Sequence, residues 1–304
     1  MQSLNFEEAT QRYDLYLRTE RQASLQTQNN YRRDITKLQH YFSKPVDLDT
    51  VNAVDIRQCM AQLHRQSLSP RSLQRWLSAI RSLFDFCIRQ GWLKSNPCEG
   101  IRPPKDKKAL PKTLDVDEVS QLLNNQTDTF LHSRDSAIAE LLYSSGLRLS
   151  ELVNLDCHHI DMSDGMMSVI GKGNKTRILP VGRIALLSIK KWLVWRAQCV
   201  KPEEQALFIS QHGKRLGQRS VQQRLKRLGV NQQLEQPLNP HMLRHSFASH
   251  MLESSGDLRA VQELLGHANI TTTQVYTHLD FQHLAKVYDQ AHPRANKKRS
   301  DIDD

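Results

Sequence analysis

The chain has no apolar run approaching the ~20 residues that a bilayer-spanning helix needs, which argues against a membrane span. A secretion signal is also missing: Met1-Gln2-Ser3-Leu4-Asn5-Phe6-Glu7-Glu8 is polar and acidic, where a signal is basic and then apolar. Cysteine is sparse and scattered (Cys59, Cys87, Cys98, Cys157, Cys199), with no Cys-x-x-Cys pair. Reduced thiols are expected, the buried ones acting as small apolar residues. Neither an internal repeat nor a long low-complexity tract is found. A soluble, cytoplasmic protein is the expectation.

Positive charge is in excess. The 304 residues carry 42 Lys+Arg against 32 Asp+Glu, a formal net charge of +10. Such a surface favours an anionic partner, of which nucleic acid is the commonest. The length suits two ordinary domains, each burying its own core.

The first 95 residues read as helical throughout. The clearest helix starts at Ser69-Pro70, an N-cap followed by proline in the first turn. Leu73, Trp76, Leu77, Ile80, Leu83, Phe84, Cys87 and Ile88 then recur at helical spacing until Gly91. Its other face carries Arg71, Arg75, Arg81 and Arg89, with Asp85 as the single acid. Further helices are expected over Phe6–Thr19, Thr27–Phe42 and Val54–Gln66, which makes residues 1–95 a compact domain with basic faces. Residues 96–113 hold Pro97, Pro103, Pro104 and Pro111 among Arg102, Lys105, Lys107, Lys108 and Lys112. They read as an extended basic linker.

The second domain, 114–292, is mixed. Helices are expected at 115–124, 131–145, 149–155, 183–198, 218–228, 240–254, 258–265, 271–277 and 281–290. The first of them opens on Asp115-x-x-Glu118, a relative of the capping box. Met166–Ile170 and Arg177–Val181 flank Gly171-Lys172-Gly173-Asn174-Lys175-Thr176 as a hairpin. Residues 293–304 read as a flexible tail. The fold class is therefore mainly α, with a small β-sheet in the second domain.

Several side chains carry chemistry. Asn239-Pro240 starts a helix whose first turns hold His241 and Arg244 at i, i+3. Free N–H groups and the helix dipole favour an anion there. Arg148 stands at another helix start with Glu151 one turn on. Lys172 is at a hairpin tip, where it can protonate a leaving oxygen or simply complete a turn. Leu264-Leu265-Gly266-His267 ends a helix and delivers His267 to a loop. Tyr276 follows Thr271-Thr272-Thr273, another helix-start cluster. Each has an ordinary structural role if taken alone: a cap, a surface ion pair, a turn, a core tyrosine. Together, two arginines, two histidines, a lysine and a tyrosine make a parts list for in-line transfer of a phosphodiester to tyrosine. His241 and His245 also have zinc-site spacing, but the Glu of His-Glu-x-x-His is missing and no Cys or carboxylate cluster completes the ligands. No metal or cofactor is expected, and His245 is read as holding its helix against the domain. Gly171-Lys172-Gly173 lacks the Walker spacing of a phosphate loop.

Gly146-Leu147-Arg148-Leu149-Ser150-Glu151-Leu152, the Gly-Lys-Gly-Asn-Lys hairpin, His241-Met242-Leu243-Arg244-His245, Leu264-Leu265-Gly266-His267 and Thr272-Thr273-Gln274-Val275-Tyr276-Thr277-His278 occur in this order. The series resembles the tyrosine recombinase (integrase) family, and the resemblance extends to Gln28-Asn29-Asn30-Tyr31-Arg32-Arg33-Asp34 in the helical domain. It is nearest the bacterial Xer subfamily. Residues 143–150 and 281–289 look more like its XerC type than the partner XerD type.

The resemblance implies a helical, SAM-like core-binding domain and a catalytic domain that close on DNA as a C-shaped clamp. It implies Arg148, Lys172, His241, Arg244, His267 and Tyr276 as catalytic residues, with Tyr276 the nucleophile and Glu151 orienting Arg148. It further implies a double-stranded DNA recombination site, an XerD-like recombinase in a heterotetramer on two sites, a septal DNA translocase of the FtsK type, and resolution of chromosome dimers at cell division. A phage- or transposon-type integrase, a type IB topoisomerase and a non-catalytic DNA-binding protein remain as alternatives. Phe281, Leu284, Ala285 and Tyr288 suit docking on a neighbouring protomer or packing on their own domain.

Overall fold

A computed structural model describes residues 5–42, 44–105, 113–124, 129–171, 176–266, 284 and 287–295. The chain divides into two compact units, residues 1–109 and 110–304.

The first unit is built of α1 (Phe6–Thr19), α2 (Leu25–Tyr41), α3 (Ala53–Arg65) and α4 (Pro70–Arg89). Their starts are set by local chemistry. The Asn5, Ser24 and Ser69 side chains accept N–H bonds from the first turns of α1, α2 and α4, and Asn52 forms a reciprocal box with Asp55. Ser24 draws the start of α2 back to Leu25, ahead of the expected Thr27. The apolar stripe of α4 (Leu73, Trp76, Leu77, Ile80, Leu83, Phe84, Cys87) is buried against Tyr13, Leu17, Ile35, Leu38 and Ile56. Among these apolar groups sits Asp34, fully buried on α2. Arg75 takes it with Nε at 2.8 Å, and Lys37 with Nζ at 2.7 Å. A buried carboxylate survives only with such partners, and here they fasten α4 to α2.

The expected linker starts later than residue 96. Asn96 Nδ2 donates to Asp85 Oδ1 at 2.6 Å, and Cys98 and Ile101 are buried in the first core. Arg81 donates to the carbonyls of both Cys98 and Ile101. Proline content suggested an extended strap, but the two apolar side chains between the prolines, with Arg81 satisfying their carbonyls, dock it on α4.

The second unit contains α5 (Val116–Leu123), α6 (Phe130–Ser145), α7 (Leu149–Val153), β1 (Ile160–Asp161), β2 (Met166–Ile170), β3 (Thr176–Pro180), α8 (Arg183–Cys199), α9 (Gln218–Asn231), α10 (Pro240–Ser255) and α11 (Leu258–Leu265). The strands form an antiparallel sheet in the order β1-β2-β3, with Val169 opposite Arg177. The short β1 was not expected; its two residues pair with Met166 and Met167. Helix α6 is the central rod, buried from Ala137 to Ser145 and packed on α5, α7, α8, α9 and α10. The helix expected at 271–277, and half of that at 281–290, lie outside the described residues; 284 and 287–291 are helical. Among the described residues no helix is long and apolar enough to cross a membrane.

Leu284 and Tyr288 are buried in the second unit's own core, while Phe281 and Ala285 lie outside the described residues. The tail expected from Pro293 does not begin there. Arg294 is buried and donates from Nε to Glu140 Oε1 at 2.7 Å and from Nη1 to Asn124 Oδ1 at 3.3 Å. Beside it the His292 ring stacks on Tyr288, with centroids 4.9 Å apart, and tilts against Tyr143 at 5.0 Å. Basic composition suggested a solvated end; a buried glutamate on α6 supplies the partner that draws Arg294 in.

Two predictions follow from this anchor. Arg294→Ala strands the Glu140 carboxylate in the core and should lower unfolding free energy by about 3 kcal/mol, read as a shifted urea midpoint with unchanged slope; an unshifted midpoint would refute the anchor. Burial pushes the His292 imidazole down to about 3, from an ordinary value near 6.5. The unfolded chain therefore takes up this proton first. The stability this neutral ring contributes is complete above about pH 6.5 and is lost towards pH 3, at up to ~1.4 kcal/mol per unit. Urea melts at descending pH should show that slope, and His292→Gln should flatten it; equal slopes in both proteins would count against the assignment.

Candidate active site

Four helix termini meet one strand to build the site. Helix α6 ends at Gly146 in the left-handed region, φ +57. A Cβ there would lie 2.4 Å from the Phe247 ring and 3.1 Å from Leu265, so only glycine fits. Leu147 then buries its side chain and Arg148 caps α7. Glu151, in the first turn of α7, reaches back to the Arg148 backbone N–H with Oε2 at 2.8 Å and accepts from Arg148 Nη1 at 2.9 Å.

Arg244 comes from α10, whose start is set by Asn239 accepting from Met242 N at 3.0 Å and by Pro240 in the first turn. Its Nη1 donates to the Gly146 carbonyl, and its Nη2 to the Leu265 carbonyl at 2.7 Å. Arg148 Nη2 donates to the Gly266 carbonyl at 3.0 Å. Both arginines thus grip the C-terminal end of α11, where free carbonyls and the negative end of the dipole favour cations. Gly266 closes that helix in the left-handed region, φ +64.

A third guanidinium completes the group. Arg177 of β3 donates to Glu151 Oε1 from Nη1 and to Oε2 from Nη2, both at 2.9 Å. The Glu151 side chain is 3% exposed, that of Arg177 10% and that of Arg148 36%. The carboxylate lies under its two partners, and Arg148 keeps a face towards solvent. Burial alone would raise the Glu151 carboxyl; hydrogen bonds from Arg177 and from the Arg148 N–H, with Arg177's charge, carry it below the ordinary range. Burial, then the positive charge of Arg148 and Arg177, pushes Arg244 down to about 10, so it remains charged at neutral pH. Three guanidinium groups against one carboxylate leave a surplus of two positive charges, the setting for a phosphate oxyanion.

The structure therefore brings together Arg148, Glu151 and Arg244. His241 is exposed in the first turns of α10, three residues from Arg244. Lys172, His267 and Tyr276 lie outside the described residues. His245 does not hold its helix to the domain: it is exposed, and His250 on the same helix makes the buried contact, its Nδ1 2.9 Å from the Tyr143 hydroxyl. Helical periodicity could not separate these faces, because α10 is nearly as polar on one side as on the other.

Arg177 was missed by the motif reading. Its signal was the strand alternation in Thr176-Arg177-Ile178-Leu179-Pro180, which places an arginine on the same face as buried Leu179. Among the described residues one group could offer three metal-ligand atoms, Asp156, His158 and His159, and it shares no residue with the arginine cluster. Two of its three members are already engaged: Asp156's carboxylate pairs with Arg215, and His159 Nδ1 accepts from Asp156 N at 3.0 Å.

Comparison with known proteins gives the same picture over most of the chain. The phage integrase family model matches residues 112–283, and the phage integrase N-terminal SAM-like domain model matches residues 10–91. The tyrosine recombinase XerC of Pseudomonas syringae pv. tomato (strain ATCC BAA-871 / DC3000) is 54% identical over 290 residues, covering 94% of this chain and 96% of its own. That of Pseudomonas aeruginosa (strain LESB58) is 54% identical over 287 residues, covering 93% and 94%. In fold, the chain is similar to the XerH site-specific recombinase solved with its palindromic difH substrate after cleavage, with TM-score 0.68 at 24% identity, over 92% of this chain and 84% of that one. With its mainly helical fold and small sheet, this chain belongs to the phage integrase family of site-specific tyrosine recombinases.

Proposed function

We propose that the chain is the XerC-type member of a recombinase pair and that Arg148 and Arg244 form its clamp on the scissile phosphate. The observation that carries this reading is their convergence: two guanidiniums from separate helices are both tied to the carbonyl end of α11, and Glu151 aligns Arg148. In the reaction, Tyr276 attacks phosphorus, forming a 3′-phosphotyrosyl link and releasing a 5′-hydroxyl. Charge builds on the non-bridging oxygens as the fifth bond forms, and the arginines neutralise it. A tyrosine is mostly protonated at neutral pH, so His241 takes or relays its proton. Lys172 protonates the leaving 5′-oxygen, and His267 donates to the phosphate. The phosphotyrosine conserves the energy of the broken bond, so rejoining needs neither ATP nor a metal. A 5′-hydroxyl of the partner duplex attacks next, and strands exchange through a Holliday junction.

The first unit, running through Ile101, serves as the core-binding domain and the second, running through Arg294, as the catalytic domain. Phosphate contacts from the basic α4 face give affinity, and a few base contacts give site choice. The protein acts in the cytoplasm, on the nucleoid, with an XerD-like recombinase in a heterotetramer on two sites. Chromosome and plasmid dimers are its substrates, and a septal translocase of the FtsK type its regulator. Support for this part comes from the identity to the Pseudomonas XerC proteins over nearly the whole chain.

Two measurements test the proposal. A suicide DNA substrate nicked near the crossover, with EDTA and without ATP, should yield a covalent protein–DNA band with wild-type protein. Tyr276→Phe should yield none, and adding an XerD-type partner should raise the yield; a band that persists in Tyr276→Phe sinks the assignment of the nucleophile. Arg244→Gln should slow single-turnover cleavage by roughly 100- to 1,000-fold, the usual effect of removing one oxyanion donor, while shifting DNA affinity far less. An equal loss in affinity and rate would instead make Arg244 a general DNA contact.

A further inference from the structure

Arg177 occupies a place in the site that the phosphate clamp does not account for. Its side chain is nine-tenths buried, it reaches no described carboxylate but Glu151, and it takes both oxygens of that group in a two-pronged pair. It also lies against α11's end: a Cβ on Gly266 would meet the Arg177 guanidinium at 3.0 Å. The same carboxylate holds Arg148. A carboxylate with a single guanidinium partner cancels that partner's charge, and a buried pair does so more completely than an exposed one. Without Arg177, the buried Glu151 would cancel Arg148. With Arg177, the triad Arg148–Glu151–Arg177 keeps one net positive charge, and Arg244 adds the second. An attacked phosphodiester passes from about one negative charge towards two, so the surplus matches the transition state better than the ground state.

We propose that Arg177 is a positioning residue for phosphoryl transfer: it occupies Glu151 so that Arg148 is held in aim yet left with charge for the phosphate. The inference rests on the reading of Arg148 and Arg244 as the phosphate clamp. It assigns Glu151 two partners with different duties, an aimed one 36% exposed and a fixed one 10% exposed. It also gives β3 a second task. The strand that follows Lys172 in the sequence is pinned by Arg177 to the helix that carries Arg148, so a shift in one displaces the other.

The test uses the full-length protein and the suicide substrate, reading single-turnover adduct formation, DNA affinity and thermal melting in parallel. Arg177→Met should form adduct about 100-fold more slowly, the scale of a small misplacement in a transition-state contact, with DNA affinity within about threefold of wild type. Arg177→Lys, which keeps the charge but not the two prongs, should lose about tenfold. Adding Glu151→Gln to Arg177→Met should cause no further loss and should recover part of the rate, since it removes the charge that cancels Arg148. The deficit of Arg177→Met should also shrink as pH falls, because protonation of Glu151 releases Arg148. Wild-type rates in both variants, multiplicative losses in the double variant, or a parallel fall in DNA affinity would each overturn the proposal. So would failure of both Arg177→Met and Arg177→Lys to fold, since the role would then be to hold the fold. Absence of adduct from the wild-type protein itself would instead defeat the clamp reading beneath it.

Discussion

A single buried carboxylate allows three guanidinium groups to share one small space. Arg148, Arg177 and Arg244 repel one another, and this repulsion adds to the larger effect of burial in pushing Arg244 down to about 10. Glu151 offsets it from the middle. The carbonyls of Gly146, Leu265 and Gly266 do the same from the edges, without adding full negative charge that a phosphate would have to oppose. The surplus positive charge is thus gathered before any anion arrives. This is the preorganisation that lets an electrostatic contact act at the moment of reaction, with little rearrangement.

The supports of that cluster explain much of the second unit. Gly146 must be glycine because Phe247 and Leu265 press on the place its side chain would fill. The same close approach lets the Gly146 carbonyl meet Arg244. Helix α6 delivers Gly146 and is itself held on several sides, including by the Glu140–Arg294 pair near the far end of the chain. Packing and chemistry are continuous here: the rod that makes the core also sets the position of the carbonyl that aims an arginine.

Much of this was legible in the residues. The N-caps, the apolar stripe of α4 and the Gly-Lys-Gly hairpin strands each follow from local rules that side chains obey whatever surrounds them. Arg148, Glu151 and Arg244 could be named because each sits at a helix start with recognisable spacing. What escaped reading depended on partners remote in sequence. Arg177 meets Glu151 across 26 positions, Arg294 meets Glu140 across 154, and Arg81 holds the carbonyls of Cys98 and Ile101. In each case an arginine that composition assigns to solvent is drawn inward by an acceptor the local pattern does not reveal. His245 and His250 show the converse. Both lie on one helix, and only the tertiary neighbour Tyr143 decides which is inside.

The grip of Arg81 on the carbonyls of Cys98 and Ile101 bears on how such recombinases can be recombined themselves. A chimera that exchanges the first unit of this chain for that of a relative, joined at residue 95, would separate α4 from the stretch that completes its core. Arg81 would lose two acceptors, Asp85 its partner Asn96, and the small cavity between Gln74, Arg81 and Ile101 would open at its wall. The graftable module therefore runs at least through Ile101, and a splice placed beyond that residue transfers α4 together with the strap that seals it.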